Sequence, residues 1–80
     1  MKEVYGNKVW YNENLQIHRN DGPAIEYYNG DKTWYKNGEL HREDGPAIEC
    51  ANGHKEWYIY NIPINYSVYI FYNYIIHVKG

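Results

Sequence analysis

Two histidines in this chain are each followed by an arginine and then, two residues on, by an aspartate: His18-Arg19-Asn20-Asp21 and His41-Arg42-Glu43-Asp44. Imidazole and carboxylate so close together are the groups of a metal centre or of acid–base catalysis. Both segments run on through Gly-Pro-Ala-Ile-Glu, which adds Glu26 and Glu49, and Cys50 follows the second.

The repetition itself limits that chemistry. His18 to Tyr35 (HRNDGPAIEYYNGDKTWY) and His41 to Tyr58 (HREDGPAIECANGHKEWY) agree at 13 of 18 positions with a 23-residue offset, the mark of an internal repeat. With three strands per unit, equivalent histidines stand roughly 14 Å apart at about 4.8 Å per strand. Two ligands of one zinc must each lie about 2.0–2.1 Å from it. No cysteine pair or third nearby histidine completes a site, so neither a metal nor a cofactor is expected. His18 and His41 are assigned as half-buried imidazoles beside the tryptophans, hydrogen-bonded within the Asp-Gly-Pro turn. Asp21 and Asp44 are assigned as turn residues whose carboxylates accept backbone N–H groups, with Gly22 and Gly45 at the position that needs a special φ. Glu26 and Glu49 are solvated or paired with Arg19 and Arg42.

No serine or cysteine stands near a histidine and an acid in a recognisable order, and no glycine-rich phosphate loop precedes a helix. An open meander of 80 residues offers little cover for a pair of catalytic carboxylates, so the chain is not expected to be an enzyme. Cys50, with Tyr27 at the matching position, reads as a small half-buried side chain rather than a reactive thiol.

The elements that position these residues are short strands. Pro23 to Tyr28 suits a strand, with Pro23 at its start where no ladder bond is lost. Asn29-Gly30 and Asn37-Gly38 are hairpin signals of the two-residue type I′ kind. Two-residue loops pair Glu26 with Thr33, Ile25 with Trp34, Lys36 with Glu39 and Tyr35 with Leu40. That register places Ile25, Trp34, His41, Ile48 and Trp57 on one face and Ala24, Tyr35, Leu40, Ala47 and Tyr58 on the other. Asp44-Gly45-Pro46 then turns the chain into the next unit.

Trp10-Tyr11, Trp34-Tyr35 and Trp57-Tyr58 extend the repeat, each with a glycine four residues earlier. About two and a half units therefore occupy residues 1–65. The first unit has one residue more between Tyr11 and His18 than the second has between Tyr35 and His41, and WYIYNIPIN of the third aligns with that longer version, Asn61 on Asn14 and Ile64 on Ile17. Residues 66–80 are a separate apolar segment. Its residue types favour a strand, whereas Ser67 as an N-cap and Tyr69, Ile70, Asn73 and Ile76 at helical spacing favour a capping helix.

A chain this small buries only about 60% of the surface its unfolded form exposes, so the eleven tyrosines and three tryptophans must supply much of the core. Trp10, Trp34, Trp57, Ile25, Ile48, His18 and His41 are the expected core. A net charge of −2 with both signs mixed argues against a nucleic-acid backbone binder. The most apolar stretch, residues 62–78, is too short and too polar to span a bilayer. A single cysteine and a start without an apolar stretch predict a reducing, cytoplasmic location.

WYKNGELHREDGPA and its earlier copy resemble repeats of the membrane occupation and recognition nexus (MORN) type, whose units carry Gly, Trp, Gly, His and Gly through consecutive hairpins. Here those residues are Gly30, Trp34, Gly38, His41 and Gly45. The match is closer to a divergent MORN-like family with the pattern WYxNGxxHRxDGPA, found in short proteins of phages and giant viruses. The resemblance spans residues 4–65. It implies an all-β meander of hairpin repeats ending in a short helix, and a small viral protein that docks on a host factor and inhibits it.

On that reading Tyr11, Tyr35 and Tyr58, edged by Arg19 and Arg42, form an exposed aromatic stripe for a protein partner. Ile70 and Tyr74 carry a homodimer contact within the apolar end segment. The competing readings are a self-assembling structural repeat and a nucleotide or small-ligand sponge that uses the same stripe.

Overall fold

The computed structural model describes residues 1–65 together with Ser67, Ile70 and Phe71. The chain is nearly all β: β1 (Lys2–Val4), β2 (Asn7–Val9), β3 (Ile25–Glu26), β4 (Lys32–Thr33), β5 (Tyr35–Lys36), β6 (Glu39–Leu40), β7 (Ile48–Glu49), β8 (Lys55–Ile59) and β9 (Ile62–Ile64). Seven strands make one antiparallel sheet in the order β1-β2-β3-β4-β7-β8-β9, and β5 and β6 pair separately. This is the expected meander with one difference. β4 pairs directly with β7, and the β5–β6 hairpin swings out of the sheet between them. Equivalent strands of neighbouring units are thus two steps apart, roughly 9.5 Å, instead of three.

Two kinds of turn alternate along the chain. Tyr5-Gly6, Asn37-Gly38 and Tyr60-Asn61 are two-residue loops with both residues at positive φ, the type I′ geometry that matches strand twist. The expected register of the second hairpin holds, with Tyr35 opposite Leu40 and Lys36 opposite Glu39.

The first hairpin departs from the expected one. Ile25 lies opposite Thr33 and Glu26 opposite Lys32, because the loop holds three residues, 28–30. The Gly30 N–H donates to the Tyr27 carbonyl at 3.0 Å, the Tyr27 N–H donates to the Asp31 carbonyl at 2.9 Å, and Gly30 has φ +97°. That is a type I turn closed by a left-handed glycine bulge. The third unit repeats it, with the Gly53 N–H on the Cys50 carbonyl and the Cys50 N–H on that of His54.

A one-residue slip exchanges faces. Thr33, not Trp34, stands between Ile25 and Ile48. Glu56 and Tyr58, two apart on β8, share a face and are hydrogen-bonded. The same alternation groups Thr33 with Tyr35 and Val9 with Tyr11. So the tyrosines join the isoleucines, and the tryptophans move to the opposite face. Across that second face, directly opposed residues run Glu3, Lys8, Glu26, Lys32, Glu49, Lys55, every neighbour of opposite charge and therefore mildly stabilising.

The third unit uses the short hairpin rather than the long one. Trp57 pairs with Ile64, Tyr58 with Pro63 and Ile59 with Ile62, so Ile64 occupies the place of His41. The long version belongs to the first unit alone. There the extra residue is absorbed by Leu15 at φ +62°, while the Asn12 side-chain oxygen accepts the N–H groups of Asn14 and Gln16. Beyond β9, Ser67, Ile70 and Phe71 have helical backbone; Tyr74 lies outside the described residues.

Burial is thin. Ala24 and Ala47 are fully covered, Ile25, Thr33 and His41 nearly so, and among the described residues no large side chain is completely buried. The Thr33 hydroxyl, on a residue 7% exposed, has no hydrogen-bond partner. Val9 stands at the equivalent place in the first unit. Thr33→Val should therefore be neutral to stabilising, by up to about 1 kcal/mol, because it removes a buried unpaired hydroxyl. Chemical denaturation measures this; a clear loss of stability would mean that the hydroxyl has a partner in solution.

Candidate functional site

The His-Arg-x-Asp segments are the densest polar clusters in the described chain, and both copies have the same geometry. Arg42 lies over the Trp34 ring, its guanidinium carbon 3.8 Å from the ring centroid. Its Nε donates to Asp44 at 3.0 Å, and Nη1 donates to the Pro46 carbonyl at 3.1 Å and to Glu49 at 2.6 Å. Arg19 lies over Trp10 at the same 3.8 Å and donates to Asp21, the Pro23 carbonyl and Glu26. Each arginine thus roofs a tryptophan and ties it to the strand that follows. Asp21 and Asp44 accept from these arginines and not, as expected from the sequence, from backbone N–H groups.

Gly22 and Gly45 are not at positive φ either. They are glycines because a guanidinium rests on them: a Cβ on Gly45 would come within 2.6 Å of Arg42 Cζ, and one on Gly22 within 3.1 Å of Arg19 Cζ. Gly45→Ala should cost about 1–3 kcal/mol as an overpacking change, Gly22→Ala less. In an Arg42→Ala background the Gly45→Ala cost should vanish. A double-mutant cycle on urea unfolding checks this, and an undiminished cost would sink the explanation.

Both histidines act between units through Nδ1, and His41 also bonds locally through Nε2. His18 Nδ1 accepts the N–H of Asn37 at 2.9 Å, and His41 Nδ1 accepts that of Tyr60 at 3.1 Å. The Ile17 and Leu40 carbonyls accept the N–H groups of Gly38 and Asn61, both at 2.8 Å. Every one of these positions recurs at the 23-residue offset, so each second hairpin is fastened to the histidine of the unit before it. Since Nδ1 accepts, the neutral His41 ring carries its proton on Nε2 and donates to Glu43 at 3.0 Å. The ring also stacks on Tyr60 with centroids 3.9 Å apart. The lone pair that would bind a metal is in use in both rings, and among the described residues no three His, Cys, Asp or Glu side chains are placed to hold an ion.

Between the two arginine clusters is an open concavity of about 170 Å³, lined by Arg19, Trp34, Lys36, His41, Arg42 and Glu43 among others. Its carboxylates and guanidinium groups are largely paired with one another, which leaves little to polarise a substrate.

A second cluster, found only in the third unit, was not singled out from the sequence. Glu56 accepts from His54 Nε2 at 2.8 Å and from the Tyr58 hydroxyl at 3.0 Å. These two bonds hold the Glu56 carboxyl below the ordinary carboxylate range, and the bond to Glu56 pushes the Tyr58 hydroxyl up. Desolvation, with Asp31 and Glu56 nearby, raises the Cys50 thiol above its usual value, so its thiolate is disfavoured.

The proposed partner residues are divided by the fold. Tyr11 is exposed and Tyr35 and Tyr58 are half-buried on the isoleucine face, whereas Arg19 and Arg42 are committed on the tryptophan face. Trp10, Trp34, Trp57, Ile48 and His18 are half-buried, and Ile25 and His41 buried. Ile70 is exposed, as are Phe71 and Ile62, and among the described residues the most exposed aromatics are Tyr5 at 97% and Tyr28 at 83%. No helix among the described residues is long and apolar enough to cross a membrane. No family model, curated protein or solved structure matches this chain.

Proposed function

We propose that this chain is a non-enzymatic protein-binding module of the MORN-like type, a small viral protein that acts in the host cytoplasm by docking on a host factor and inhibiting it. The observation that carries the reading is the fate of the repeat's reactive side chains. His, Arg, Asp and Glu of both copies are bonded into the framework, while large aromatics such as Tyr5 and Tyr28 stand in solvent. Exposed aromatics on a rigid scaffold are suited to binding. The arginines expected to edge the tyrosine stripe are held on the opposite face, so the binding role passes to the exposed aromatics themselves.

The chain also pairs with a second copy through the end segment, where Ile70 and Phe71 are exposed. Sedimentation at high micromolar concentration tests the dimer, which Ile70→Asp with Tyr74→Asp should split. A wild-type monomer would refute it. For the docking reading, affinity capture from host cells followed by mass spectrometry should return a partner that is lost with Tyr5→Ala/Tyr28→Ala although the fold is unchanged. Retention of the same partner by that variant would sink the aromatic assignment.

A further inference from the structure

We infer that copies of this chain stack head to tail, β1 of one copy pairing with the outer side of β8 in the next, with Glu3 on Lys55 and Lys2 on Glu56. The inference goes beyond the docking reading. It starts from the seam between units, which occurs twice within the chain in one register. β2 meets β3 with Lys8 opposite Glu26 and Val9 opposite Ile25, and β4 meets β7 with Lys32 opposite Glu49 and Thr33 opposite Ile48. On β8 the same two places are Lys55 and Glu56, which pair inward with Glu49 and Ile48. Among the described residues no strand pairs with them on the outer side, since β9 meets β8 only at Trp57, Tyr58 and Ile59.

The chain does not continue the seam itself. The 23-residue offset puts the counterpart of Ile48 at Phe71, whose backbone is helical. The strand that has the right register is β1, at the other end of the sheet. Across the first hairpin Lys2 faces Val9 and Glu3 faces Lys8, just as Ile25 faces Thr33 and Glu26 faces Lys32 in the second. Lys2 and Glu3 therefore hold the places of Ile25 and Glu26.

Charge on an edge strand commonly serves to prevent pairing. These two edges instead carry opposite charges, position by position. Placing β1 beside β8 sets Glu3 on Lys55 and so carries the row Glu3, Lys8, Glu26, Lys32, Glu49, Lys55 across the contact without a break in its alternation. Where the internal seams have Val9 on Ile25 and Thr33 on Ile48, the contact has Glu56 on Lys2, again opposite charges directly opposed and stabilising. His54 and Tyr58 use two of the roughly four acceptor sites of the Glu56 carboxylate, which leaves room for an ammonium.

The turn glycines agree. Tyr28 Cδ2 would lie 3.1 Å from a Cβ on Gly6, and the Ala51 Cβ 3.3 Å from one on Gly30, so each turn is covered by the unit after it. Among the described residues nothing comes within 4 Å of a Cβ on Gly53. Tyr5, which precedes Tyr28 by the repeat offset and is 97% exposed, would supply that cover from the next copy. The contact thus takes Tyr5 and leaves Tyr28 for a host factor. A joint between two unlike surfaces does not close at two copies, so the product is a growing array.

The test is zero-length carbodiimide cross-linking of the wild-type chain at low salt, with mass spectrometry of the linked peptides, alongside sedimentation of the untreated protein over a concentration series. Within one chain β1 and β8 are five strand steps apart, roughly 24 Å, so a link between Lys2 and Glu56 or between Glu3 and Lys55 can form only between copies. Both links are expected, with sedimenting species that grow past a dimer and shrink as salt is raised. Lys2→Glu, a change at an exposed edge, should abolish the link between Glu3 and Lys55 and the species larger than a dimer. Links between Glu3 and Lys8 without either intermolecular link, growth that stops at the dimer of the end segment, or growth untouched by Lys2→Glu would overturn the inference.

Discussion

Replacing Trp34 by alanine should lower the unfolding free energy by about 3–5 kcal/mol, the usual cost of truncating a packed tryptophan. The ring is only half-buried by its own neighbours, but the Arg42 guanidinium covers its outer face. The backbone at Trp34 is a junction as well: its N–H donates to the Ala47 carbonyl at 2.8 Å, and its carbonyl accepts the His41 N–H at 3.1 Å. Losing the ring removes the platform that holds Arg42 against Asp44, Pro46 and Glu49. A chain of this length has a total stability of about 4–12 kcal/mol, and so thin a core belongs near the lower end, so the variant should be largely unfolded at room temperature. The Trp34–Arg42 coupling, read from a double-mutant cycle in a background stable enough to measure, should be about 0.5–2 kcal/mol. An unaltered melting curve for Trp34→Ala would show the ring to be a surface feature and would make it a ligand contact instead.

The repeat, the strand types and the second hairpin were legible because each rests on a local signal: identical residues at a fixed offset, Asn37-Gly38 with both residues at positive φ, and Tyr35 opposite Leu40. The first hairpin was not. Asn29-Gly30 serves a two-residue I′ loop and a three-residue bulged loop equally well, since both need a left-handed glycine. That single ambiguity sent Trp34 and Tyr35 to each other's face.

The pairing of Arg19 with Glu26 and Arg42 with Glu49 was among the expected alternatives, and the rest of each arginine cluster could have been found. Asp two residues after, and Glu seven residues after, both Arg19 and Arg42 recur in register with a tryptophan upstream, which is the signature of one cation holding several partners. Nothing local marks the histidine bond to Tyr60, because the two residues are 19 apart and the donor is a backbone N–H. The third-unit cluster of His54, Glu56 and Tyr58 was visible only as a departure from the other copy.

His41 gives the second large effect, and the comparison of two substitutions decides its origin. His41→Leu keeps an apolar side chain of similar reach but leaves the Tyr60 N–H without an acceptor and ends the stack on the Tyr60 ring. Orphaning a buried donor costs about 1–3 kcal/mol; the Tyr60 bond is only part-buried, so the low end applies, and the lost ring pairing adds about 0.5–1.5 kcal/mol. His41→Asn places an amide oxygen close to where Nδ1 sits, so it should recover the hydrogen-bond part and not the stacking part. Amide hydrogen exchange separates the two: protection of the Tyr60 N–H should fall sharply in the leucine variant and persist in the asparagine variant. His18 is less buried than His41, so His18→Leu should show the same pattern at the Asn37 N–H with a smaller loss of stability. The third unit carries Ile64 at this place, and residues 66–80 lack the Trp-Tyr and Asn-Gly pattern of a hairpin whose N–H an imidazole there could accept. If His41→Leu matched wild type in stability while Tyr60 stayed protected, the histidine would not be what fastens one unit to the next, and that work would fall to the two Leu40–Asn61 bonds, the Arg42 N–H on the Tyr58 carbonyl and the β4–β7 pairing.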